Sequence, residues 1–118
     1  MNGKVNLAEK LSLFSDRFAP RTVAEFNGHD VMVAKLEGEF VWHSHEDTDD
    51  FFLVLEGHLV IHMRGGDDVR LGPGELCVVP RGVEHKPVAE EETHLLLIEP
   101  TGTPNTGDEE TAAPRREL

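Results

Sequence analysis

His43 and His45 stand two residues apart in the segment Phe40-Val-Trp-His-Ser-His45. On an extended chain, residues two apart project from one face, so both imidazoles can grip a single metal ion. The stretch that follows, Glu46-Asp-Thr-Asp-Asp50, holds four carboxylates in five residues and can return an oxygen ligand to the same ion. If a strand starts near Asp49, then Asp50, Phe52 and Val54 share one face, and Asp49, Phe51, Leu53 and Leu55 share the other. Only one of these faces can meet the histidines. His85, 40 residues beyond His45, is a third candidate imidazole at a separation that suits a facing strand. Three nitrogens and one carboxylate suit one divalent first-row metal (Zn, Mn, Fe or Ni) and leave positions open for water or substrate.

The elements that must position these groups are strands. Phe40-Val-Trp42 before the pair and Phe51 to Leu55 after it are residue types that fit a pleated sheet. Thr22–Phe26 and Asp30–Leu36 read as a hairpin about Asn27-Gly28, which places His29 in a solvated turn. Beyond Gly57, Leu59, Ile61 and Met63 alternate with His58, Val60 and His62, which leaves both histidines half-exposed on the wrong face for ligation. Arg64-Gly-Gly-Asp67 is a turn, and Asp68–Leu71 is a short returning strand. Gly74, Pro80 and Gly82 punctuate an apolar strand that ends before His85, and His94–Glu99 is apolar enough for burial on both faces or a dimer contact. The one helical signal lies in residues 6 to 18, where Leu7, Leu11, Phe14 and Phe18 recur at helical spacing and Asn6 with Glu9 forms a capping box.

The bulk properties narrow the function. With 118 residues the chain is one domain. Residues 1–20 are expected as a helical arm, 21–100 as the barrel and 101–118 as a flexible acidic tail, polar and without periodicity. A net charge of −12 argues against nucleic acid as a partner. No run approaches the roughly 20 apolar residues of a membrane span, and no signal-peptide pattern precedes the domain, so a cytoplasmic protein is expected. The single cysteine, Cys77, reads as a structural thiol in a strand.

Regular short strands indicate an all-β sandwich or barrel. Gly38, His43, His45, Asp50 and Gly57 resemble the first motif of the cupin superfamily, in which an acid follows His-x-His and a glycine lies seven beyond that acid. Gly74, Pro80, Gly82 and His85 resemble the second. The resemblance implies a double-stranded β-helix, a jelly-roll barrel with a metal inside its open mouth. It also implies His43, His45 and His85 as ligands, with Asp50 where the family usually has glutamate. Being one methylene shorter, Asp50 either ligates the metal directly or holds a metal-bound water. Glu46 and Asp49 fall off the glycine spacing and are expected in solvent.

Among cupins, the chain is most similar to the small single-domain members described as resembling mannose-6-phosphate isomerase. The family covers isomerases, epimerases, dioxygenases, lyases and proteins with no catalysis, and the first expectation within it is an enzyme acting on a small oxygen-rich molecule, a sugar derivative or hydroxy/keto acid, with the metal as Lewis acid in isomerase, epimerase or lyase chemistry. An iron-dependent dioxygenase and a non-enzymatic metal or small-molecule sensor are the alternatives. Val41, Phe52 and Val54 are expected to make the pocket apolar, and Arg81, Glu84 and Lys86 to form a solvated rim. Arg64 could meet an anionic substrate only if its hairpin covers the mouth. Apolar outward faces at Phe51, Leu53 and Leu55 predict a homodimer.

Overall fold

The structure is a computed structural model that describes residues 3–118. Its one helix among the described residues, α1 (Leu7–Leu11), starts at Asn6, whose side chain accepts the Glu9 backbone N–H as the capping signal predicts. The helix is shorter than the expected 6 to 18. Its buried contact is Leu11, which packs with Val23 and Val33 in a small cluster outside the barrel.

Seven strands follow: β1 (Arg21–Phe26), β2 (His29–Glu39), β3 (Asp50–Glu56), β4 (Leu59–Met63), β5 (Val69–Leu71), β6 (Leu76–Val79) and β7 (His85–Pro100). All their pairings are antiparallel, in the order β1-β2-β7-β3-β6, with β4 joining β5 to β7. The β1–β2 turn is made by Asn27 and Gly28 with φ of 50° and 77°, the backbone that a two-residue hairpin requires.

β7 organises the barrel. Its first half pairs with β4 through His85, Lys86, Pro87 and Val88, its second half pairs with β3, and β2 pairs with both halves, from Val88 and Ala89 to Pro100. The sequence predicts 94–99 as a separate strand, buried on both faces or forming a dimer contact. Instead 85–100 is one strand that buries a single face, Leu95, Leu97 and Glu99, while the alternate residues are half-buried. Gly57 follows β3 where the chain passes close to Thr93: a Cβ there would lie 2.5 Å from Thr93 Oγ1 and 2.9 Å from Glu92 O. Any side chain at this motif glycine would push β3 and β7 apart.

The core lies between the curved walls. Leu59, Ile61, Val54 and Leu95 are wholly inaccessible, and Phe52 and Val79 extend the cluster to the floor of the mouth. Truncating a side chain such as Leu59 or Ile61 to alanine in so dense an interior costs about 2–5 kcal/mol.

Residues 101–118, expected as a flexible tail, instead return across the barrel. Arg115 binds Asp30 through Nε to Oδ2 at 2.8 Å and Nη2 to Oδ1 at 2.9 Å, and Thr22 pairs with Glu117 in a parallel bridge. Asn105 Nδ2 donates to Phe18 O at 3.2 Å. Gly107 lies so near Ser44 that a Cβ would sit 2.2 Å from its carbonyl oxygen.

Candidate metal centre

The loop between β2 and β3 carries His43 and His45, and backbone bonds hold it against the start of β7. His43 N donates to His85 O at 3.0 Å, His85 N donates to His43 O at 2.9 Å, and Gly82 N donates to His45 O at 2.8 Å. These bonds bring the two sequence motifs face to face. The expected parity of β3 holds: Asp50, Phe52 and Val54 point inward. His43, His45, Asp50 and His85 meet at the mouth of the barrel, all of them buried.

Their geometry is convergent. Nε2 of His85, His45 and His43 lies 2.8, 3.2 and 3.6 Å from one oxygen, Asp50 Oδ2. Two rings are oriented from behind: His43 Nδ1–H donates to Val41 O at 3.0 Å and His85 Nδ1–H donates to Val83 O at 2.9 Å. Such a neutral imidazole presents Nε2 as a lone pair, the form that binds metals. His45 Nε2 is buried and has no hydrogen-bond partner among the described residues. Lone pairs aimed at one carboxylate oxygen repel it unless a cation or protons intervene, so the donor set fits a metal ion. With no ion between them the same nitrogens can face Asp50 only as Nε2–H donors: burial would raise its carboxyl, but such donors on His43, His45 and His85 would outweigh burial and hold it well below the usual carboxylate range.

Sequence reasoning missed one member. Glu99, at the end of β7, is 5% exposed, and its carboxylate lies with His45 and Asp50 in a group whose ligating atoms are all within 4.8 Å of one another. Burial, and then the negative charge of Asp50, push its carboxyl up to about 9. A signal for it was present: counting by twos from Leu95 through Leu97 reaches Glu99 on the inward face.

The remaining expectations divide. Glu46 and Asp49 are exposed, as expected, and Asp49 Oδ1 accepts the Arg81 backbone N–H at 3.0 Å. His58 and His62 pair with Glu91 and Asp68 on the surface. Val41, expected to line the pocket, is 51% exposed instead, because β2 ends at Glu39 and the alternation assumed through 41 does not continue. Phe40 takes its place, stacked on Phe18 with centroids 5.0 Å apart and edge-on to His43 at 5.2 Å. Phe18 holds a left-handed φ of 56°, a costly conformation for a bulky residue that seats its ring in the mouth. Arg64 lies over the Trp42 ring, 4.2 Å from the centroid, and pairs with Glu84. Burial, and then the charge of Asp50, raise the Cys77 thiol, which suits a structural role.

A strand barrel of this connectivity with three histidines and an acid inside its mouth defines a class of metal-binding β-barrels. Residues 29–99 match the Cupin domain family, and the chain belongs to it. A crystal structure of a cupin-2 domain containing protein from Shewanella frigidimarina NCIMB 400 is 48% identical, with a TM-score of 0.79, over 81% of this chain and 93% of that one. Protein NMB1881 from Neisseria meningitidis is 28% identical, with a TM-score of 0.76, over 84% of this chain and 100% of that one. The uncharacterized protein YdbB of Bacillus subtilis (strain 168) is 30% identical over 99 residues, 84% of this chain and 88% of YdbB.

Proposed function

We propose that this cupin is a metal-dependent enzyme for a small oxygen-rich molecule, a sugar derivative or hydroxy/keto acid, in isomerase, epimerase or lyase chemistry. The observation that carries the reading is the convergence of three Nε2 atoms on the buried Asp50 oxygen. His43, His45 and His85 would hold one divalent metal, with Asp50 as the fourth ligand or as the holder of a metal-bound water. Once bound, the metal supplies Lewis-acid polarisation of a substrate oxygen.

The chain's own groups do the rest. Val41 O and Val83 O fix the ring orientation of His43 and His85. Phe18, Phe40 and Phe52 keep bulk water from the mouth. Glu99 is the carboxyl beside Asp50 and His45 that can exchange a proton with a bound molecule, which a pure binding module does not need. The unpaired Cys77 fits action in the cytoplasm. Leu76 and Val78, exposed on edge strand β6 beside Phe51 and Leu53 of β3, fit a homodimer face, and light scattering at twice the chain mass is expected.

The test is to incubate metal-loaded protein with aldoses, ketoses and small hydroxy acids in D2O and follow deuterium incorporation or product by NMR. Turnover that is lost in Glu99→Gln supports the reading. Tight ligand binding with no turnover in any member of the panel overturns it in favour of a sensor.

A further inference from the structure

Two residues that belong to no strand close the mouth. Phe18 comes from the link between α1 and β1, and its ring lies flat on Phe40, 5.0 Å between centroids, which is itself edge-on to His43. Asn105 comes from the returning segment. Beneath them, the space against His43, Asp50 and Glu99 is about 40 Å³, room for a water molecule or a very small ion and too little for a substrate. The cleft on the other side, at Glu46, Asp47 and Thr48, meets His45 alone of the four candidate ligands. A substrate therefore reaches the metal position only if Phe18 moves.

Phe18 is held in this place by the returning segment. Its φ of 56° is costly for a bulky side chain. Two hydrogen bonds keep it there: Phe18 N donates to Lys35 O at 2.9 Å, and Phe18 O accepts from Asn105 Nδ2 at 3.2 Å. Asn105 is fixed in turn through its Oδ1, which accepts the Ala113 backbone N–H at 2.9 Å. Further along, Arg115 grips Asp30 and Leu118 N donates to Thr22 O at 2.9 Å, so the far end of the segment is latched to β1 and β2.

We propose that residues 101–118 are a strap that gates the metal centre through the Phe18 ring. The inference rests on the metal reading above and adds how a substrate is admitted. With the strap seated, Asn105 holds the ring over the mouth and the centre admits only very small molecules. When the strap lifts, Phe18 loses one of its two restraints, its backbone relaxes out of the left-handed region, and the ring leaves Phe40 to open a space against His43 and Asp50. A ligand too large for the closed mouth binds the open state alone, so its binding and the release of the strap are coupled in both directions.

The test uses the full chain loaded with Co(II), its visible spectrum titrated with azide, which fits the closed mouth, and separately with benzohydroxamic acid, which does not. Asn105→Ala cuts the link to Phe18, Arg115→Ala releases the far latch, and Phe18→Gly removes the ring at a backbone angle that glycine adopts freely. Each should tighten benzohydroxamic acid binding by about tenfold or more while azide affinity changes by under about threefold. Glu110→Ala, at an exposed strap residue, should change neither. Adding Arg115→Ala to Phe18→Gly should gain under about threefold more, because the latch acts through the ring. In wild type, saturating benzohydroxamic acid should speed amide exchange in residues 101–118, and azide should not. A loosened fold alone shifts both ligands together or weakens them, and gives no selectivity by size. Unchanged or weaker benzohydroxamic acid binding in all three single variants, parallel shifts for the two ligands, a fully additive gain in the double variant, or no faster exchange in the strap overturns the inference while leaving the metal reading in place. Wild type that takes up no cobalt removes the metal reading and the inference with it.

Discussion

Two sets of histidine–carboxylate contacts divide the molecule. On the flanks, each imidazole has a carboxylate of its own: His58 Nδ1 lies 3.2 Å from Glu91, His62 Nδ1 lies 2.9 Å from Asp68, and His94 sits between Glu56 at 3.1 Å and Glu92 at 3.0 Å. At the mouth, three imidazoles share one buried oxygen. The His58 and His62 pairs are open to water and contribute little to stability. The mouth cluster puts three donor atoms around one point in a site closed to bulk water. Convergence together with burial, more than the mere pairing of histidine with an acid, marks the place for a metal ion.

Removing one histidine at a time from each set separates the two kinds of contact. His85→Ala should take bound metal from near one equivalent to below about a tenth, whereas His58→Ala and His62→Ala should leave metal content unchanged and shift Tm by under about 2 °C. Elemental analysis and calorimetry on the three variants check both halves. A smaller effect is expected at the shared acid. Asp50→Asn should weaken metal affinity about 10- to 100-fold if the carboxylate acts by holding a metal-bound water. Loss as complete as in His85→Ala, measured by competition with a chelating dye, would make it a direct ligand.

The smallest effect concerns the returning segment. Hydrogen bonds from Arg115, against the opposing effect of burial, hold the Asp30 carboxyl below its usual value of 3.8. A carboxyl with a depressed folded-state pKa stabilises fully above its unfolded pKa, and the contribution is lost as the pH falls through the folded value. Amide protection in residues 102–115 should therefore fall below pH 4 before that of β7 does. Equal loss in both segments on acidification would show that the Asp30–Arg115 pair does not anchor the returning segment.

How much of this was legible depended on whether the signal was local. The Asn27-Gly28 turn, the Asn6 cap and the inward parity of Asp50, Phe52 and Val54 are set by residues within a few positions of one another. Local alternation failed where β2 stopped at Glu39, and Val41 turned outward. At His94–Glu99 a continuous apolar run masks the alternation that brings the acid at its end inward. The docking of residues 101–118 left no readable pattern, because it depends on Arg115 meeting Asp30 across 85 residues of chain and on a close approach of Gly107 to Ser44.

Whether the mouth cluster holds a metal ion is read from the metal content of wild-type protein purified without chelator or nickel affinity resin, beside His43→Ala prepared the same way. Near one equivalent of a divalent first-row metal in wild type, and almost none in the variant, is the expected result. Wild type that carries no metal and cannot be loaded with one, or a variant that binds as much as wild type, would contradict the account.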